Sequence, residues 1–132
     1  MKEKAKNNLL AAQNLIGTHT LSTESVHCSY YAVYQYMMYM LNTTDRNPIS
    51  YEDQKQRARG LDSHTFILQE IKIRMNCNAS SIKAFYDAVV DLKNARITAD
   101  YTTTPIPEID SLRYKAQAES LISKLKQYFG NI

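Results

Sequence analysis

Between Val26 and Leu41 the chain reads Val-His-Cys-Ser-Tyr-Tyr-Ala-Val-Tyr-Gln-Tyr-Met-Met-Tyr-Met-Leu, a stretch with almost no polar face. Val26, Tyr30, Val33, Tyr34, Met37 and Leu41 fall on one stripe at helical spacing. Tyr31, Ala32, Tyr36, Met38, Tyr39 and Met40 fill most of what remains. A helix that is apolar nearly all round sits at the centre of its domain or is shared with a partner subunit. Ser22-Thr23-Glu24-Ser25 offers an N-cap and an acid for the first turn, so the helix is predicted over 23–41. The run is too short and too polar to span a membrane, because His27, Ser29, Gln35 and the tyrosine hydroxyls lie inside it. Its tyrosines offer either a stacking platform for bases or core and interface surface, and aromatic residues at helical spacing favour the second.

A central helix needs others to cover it. Three glycines and three prolines in 132 residues are too few for the turns of an all-β fold. A first helix is predicted over 3–16, with Leu9, Leu10, Gln13 and Ile16 in phase and Gly17 as its stop. Asn42 to Gly60 is a long polar connection, with a turn or two of helix over 52–59. The third helix spans 62–75, capped by Asp62 or Ser63, with Phe66, Ile67, Ile71 and Met75 (or Arg74) inward. The fourth spans 80–98, with Ile82, Phe85, Tyr86, Val89, Val90 and Lys93 as its stripe. Thr102 to Pro107 is an extended linker stiffened by two prolines. The fifth spans 109–129, capped by Asp110 and ended by Gly130, with Tyr114, Ala118, Leu121, Ile122, Leu125, Tyr128 and Phe129 inward. The expected architecture is all-α: one domain over 1–132, an up-and-down four-helix bundle with an additional short helix.

Composition excludes several classes of function. With 44% hydrophobic and 22% charged residues the chain is globular rather than disordered. A net charge of +3 is too weak to demand nucleic acid as a partner. Cys28 and Cys77 form no disulfide framework and no zinc spacing, and read as partly buried thiols in a reducing compartment. Asn7, Asn8, Gln13 and Asn14 interrupt any signal-peptide core, so a soluble cytoplasmic protein is expected. Glu24-Ser25-Val26-His27 is the single Glu-x-x-His, where a di-iron bundle needs a pair, so no metal and no cofactor is expected.

Three segments, in order, resemble the HEPN superfamily of small helical bundles. Ser25 to Tyr34 looks like that family's helix with a Tyr-Tyr-Ala core. Asp62-Ser63-His64-Thr65 looks like the Thr/Ser-His-Ser/Lys segment that opens the next helix in many members. Arg96-Ile97-Thr98-Ala99-Asp100-Tyr101 looks like the Arg-x-x-Ala-Asp-Tyr segment before the last helix in one branch. The resemblance spans most of the chain. It implies a homodimer, often paired as toxin and antitoxin with a minimal nucleotidyltransferase, and a cleft that binds a nucleotide or RNA phosphate.

Catalytic members are metal-independent ribonucleases, marked by an Arg and, four to six residues on, a His. Arg96 takes the Arg position here and Tyr101 stands where the His belongs, followed by Thr102 and Thr103. A tyrosine with its ordinary pKa near ~10 is a poor acid–base group at neutral pH, whereas histidine is suited to it. Arg96 can still take a phosphate oxygen, with Asp100 holding it in place. It reads equally as a helix-terminal cation paired with Asp100. His64 reads as a phosphate ligand, a substitute acid–base group, or a capping imidazole. His27 reads as a polar residue at the bundle edge, and His19 carries no signal. The expected phosphate site is therefore Arg96, Asp100, Tyr101 and His64. Arg96, Tyr101 and His64 are the catalytic candidates. The expected function is binding or partnering, with a ribonuclease using His64 or His27, or a pure interaction module, as alternatives.

Overall fold

A computed structural model describes residues 1–17, 21–60 and 62–129; His19 and Gly130 lie outside them. The described residues form six helices and no strand: α1 Lys2–Gly17, α2 Ser22–Thr43, α3 Tyr51–Arg57, α4 Ser63–Arg74, α5 Ala79–Tyr101 and α6 Glu108–Phe129. The fold is an all-α helical bundle of four long helices, with two shorter ones rather than one. No described helix is long and apolar enough to cross a membrane.

Helix α2 touches every other helix, as its all-round apolar surface requires. Val33, Met37, Met40 and Leu41 are fully buried along it. Against them pack Ile67, Leu68 and Ile71 of α4, Phe85, Val89 and Leu92 of α5, and Ala118, Leu121 and Leu125 of α6. Each of these side chains other than Ala118 contributes roughly 1.5–3 kcal/mol by leaving water, so this core dominates the stability.

Several details differ from the periodicity. Helix α1 presents Ala5, Ala12 and Ile16 inward, and Leu10 is 56% exposed. The small alanine face lets α1 lie close to α2, which turns Leu10 outward. Serines and threonine at the start of α2 do not cap it: its N-cap position is Leu21, with no side-chain bond. Ser25 Oγ donates locally to Ser22 O at 2.6 Å, and Ser22 and Thr23 also bind distant chain. Thr23 Oγ1 accepts from Ile106 N at 2.9 Å, and Ser22 O accepts from Ser111 Oγ at 2.8 Å. The proline linker and the start of α6 are thereby fastened to the start of α2. Asp110 lies within the first turn of α6, which begins at Glu108, and so is not its cap.

The long connection after α2 is more ordered than its polarity suggests. Ser50 Oγ caps α3 by accepting from Asp53 N at 3.1 Å. Gln54 is buried, and its Nε2 donates to Met38 O at 3.0 Å and Ile49 O at 2.8 Å.

Helix α4 starts as expected, with Asp62 Oδ1 accepting from His64 N at 3.1 Å. Leu68 joins its inner face and Phe66 is only half-buried. Helix α5, capped by Asn78, runs past Thr98, so Asp100 and Tyr101 are helical. Its inner face is Phe85, Val89, Leu92, Ala95 and Arg96. Tyr86 and Val90 are half-buried against the core, as their stripe predicts, and with Lys93 they border a cavity between α4 and α5.

Candidate functional site

Arg96 is the only buried charged residue among the described ones, with 7% of its surface exposed. A buried guanidinium must be paired or it destabilises the fold. Its carboxylate partner is one turn further along α5: Nη1 lies 3.5 Å from Asp100 Oδ2. Three aromatic rings supply the rest of its surroundings. The guanidinium carbon sits 5.3, 5.5 and 5.8 Å from the ring centroids of Tyr30, Tyr31 and Tyr101. Those distances are within cation–π range. The Nε–H is buried and has no hydrogen-bond partner. A guanidinium carries five N–H donors, so this one retains donor capacity that its neighbours do not use.

Asp100 is shared. Its Oδ2 also accepts from His27 Nδ1 at 2.7 Å, and His27 leans on the Tyr31 ring with centroids 4.6 Å apart. His27 is thus at the bundle edge, as expected, and also belongs to the cluster. Burial raises the Cys28 thiol pKa, and the Asp100 charge adds to the rise.

His64 enters from the first turn of α4. Its ring stacks on Tyr34, with centroids 4.2 Å apart and planes at 19°. Its Nδ1 lies 2.6 Å from Tyr30 Oη. Burial holds the His64 imidazole below its usual pKa; Lys93 and Arg96 push the same way against Asp62. Burial raises the Tyr30 phenol well above its ordinary value, against the opposing pull of Arg96. Tyr30 therefore keeps its proton, and it donates to Nδ1 in the Nε2–H tautomer of the imidazole. A neutral His64 accepting at Nδ1 carries its own proton on Nε2. In that tautomer it presents a hydrogen-bond donor rather than a free base.

Asp62 completes the frame. It caps α4 and accepts from Lys93 Nζ at 2.8 Å, a bond that lowers its pKa. Tyr34 Oη donates to Ser63 Oγ at 3.2 Å, and burial raises the Tyr34 pKa.

All four residues expected at a phosphate site, Arg96, Asp100, Tyr101 and His64, border one aromatic cluster. Arg96 pairs with Asp100 and faces Tyr101, and His64 joins them through Tyr30 and Tyr31. Tyr101 is 75% exposed, so it edges the cluster on the solvent side. Sequence reasoning missed Tyr30, Tyr31 and Tyr34, which serve as core and as walls of this cluster at once. The signal was their spacing on the face that also carries His27. Among the described residues no group of three or more His, Cys, Asp or Glu side chains converges. Comparison with family models, with curated proteins and with solved structures finds no match to the chain.

Proposed function

We propose that the chain is an HEPN-like domain whose Arg96 cluster binds a phosphate of a nucleotide or RNA without cleaving it. The observation that carries this reading is the buried, incompletely bonded guanidinium of Arg96, with its partnerless Nε–H and a carboxylate no nearer than 3.5 Å. An anion oxygen is the group that such a donor lacks. His64, a neutral donor at Nε2, suits the same anion better than it suits proton abstraction. The Tyr101 side chain supplies a ring at the rim.

The binding reading is preferred to a ribonuclease for this reason: Nδ1 of His64, its only possible base nitrogen, is taken by Tyr30. In the same reading the domain works as a homodimer or beside a minimal nucleotidyltransferase, with the exposed Ile97 and Tyr101 at the contact. Calorimetric titration with ATP and with a short single-stranded RNA tests the proposal. Wild-type protein is expected to release or absorb heat with at least one of them, and Arg96→Lys to bind at least roughly tenfold more weakly, because lysine cannot reproduce the guanidinium fork. No heat change with either probe would sink the proposal. Cleavage of the RNA by wild type, lost in His64→Gln, would instead establish the enzyme.

A further inference from the structure

Helices α4 and α5 make few contacts with each other, and between them lies a cavity of about 250 Å³. The cavity opens to solvent past the exposed Thr65, Gln69, Asn94 and Ile97, so a ligand can enter it beside the polar groups of the cluster. Tyr30 and His64 form the wall it shares with the Arg96 cluster. Leu68, Val89 and Val90 give it an apolar lining. Gln69 and Asn94 stand on its two sides, one from each helix. Both are exposed, and among the described residues neither side chain makes a hydrogen bond, so their amides are not committed to the fold.

The occupant must use an apolar lining and free amides together. A carboxamide carries a donor and an acceptor in one plane and pairs with the edge of a nucleobase through two parallel bonds. A purely apolar guest makes no use of those amides, which then stay bonded to water. A second phosphate finds only Lys93 for a cation, and Lys93 is already bonded to Asp62. We propose that this cavity takes the base of the nucleotide whose phosphate Arg96 binds, with Gln69 and Asn94 reading the base edge. The inference rests on the phosphate reading above and adds to it a site for base recognition.

Calorimetry on the full chain tests it with three kinds of probe: the four nucleoside 5′-monophosphates, ribose 5-phosphate, and the matching nucleosides. At least one nucleotide is expected to bind roughly tenfold or more tightly than ribose 5-phosphate. In the Gln69→Ala/Asn94→Ala double variant that advantage shrinks by about tenfold while ribose 5-phosphate binds as before. Both positions are exposed, and circular dichroism checks that the variant is folded. If ribose 5-phosphate binds as tightly as every nucleotide, the base cavity is wrong and the phosphate site stands. If a nucleoside binds and ribose 5-phosphate does not, the cavity stands and the phosphate reading fails. If no probe binds the folded protein, both are overturned.

Discussion

Tyr30 and His64 meet through a 2.6 Å hydrogen bond that spans α2 and α4, with Tyr30 fully buried and His64 half-buried. With Tyr30 as the donor, this bond places the imidazole proton on Nε2. Tyr30→Phe keeps the ring and removes the donor. It is expected to cost about 1–2 kcal/mol in urea unfolding, the loss of one hydrogen bond with its partner left half-buried. Nitrogen NMR of His64 is expected to change from a single Nε2–H form to a mixture of tautomers. An unchanged spectrum would mean that Tyr30 does not set the tautomer.

The lowered His64 pKa has a definite consequence for stability. Above about pH 6.5 the ring is neutral in both folded and unfolded chains, and its contribution is fully present. As pH falls below the unfolded value the unfolded chain takes up a proton that the folded chain resists. Stability from this group is therefore lost as pH drops through the folded pKa. His64→Gln is expected to flatten that part of the stability–pH curve below about pH 6.5. A curve parallel to wild type over that window would contradict the assignment.

Arg96→Met separates stability from binding. Replacing a buried, incompletely satisfied cation by an apolar chain of similar length is often neutral or stabilising. Urea unfolding is expected to change by no more than about 1 kcal/mol in either direction, since Asp100 keeps His27 as a partner. Phosphate binding is expected to disappear. A loss of several kcal/mol would mean that the guanidinium holds the bundle together rather than waiting for an anion.

Gln54 gives a prediction far from the site. Its side-chain amide satisfies the carbonyls of Met38 and Ile49 beneath the α2–α3 connection. Gln54→Ala leaves both oxygens without that donor and opens a space. A destabilisation of about 2–4 kcal/mol is expected in chemical denaturation, with α2 otherwise intact by circular dichroism.

The helices were legible in the sequence because each carries its own periodicity and breakers. Asp62 capped α4 as its position suggested, and the apolar run of Val26 to Leu41 became the central helix. Rotational phase was less legible: Leu10 belongs to an apolar stripe that the packing turned partly outward. The periodicity ends α5 at Thr98, yet Thr102 bonds back to Thr98 O through both N and Oγ1, and the helix continues to Tyr101. The site was half legible. Arg96 and Asp100 announce themselves by helical spacing. The pairing of Tyr30 with His64, or His27 with Asp100, depends on how helices 34 and 73 residues apart in sequence cross, and no local pattern encodes that.

The same wide separation links ligand binding to the folding equilibrium. The cluster draws on α2, α4 and α5, so no single helix or pair of neighbouring helices contains it. An anion that binds there recognises only the closed bundle. At a ligand concentration one hundred times Kd, mass action then adds about 2.7 kcal/mol to the free energy of unfolding. If the proposed anion binds, the melting temperature of the whole domain is expected to rise with occupancy at Arg96.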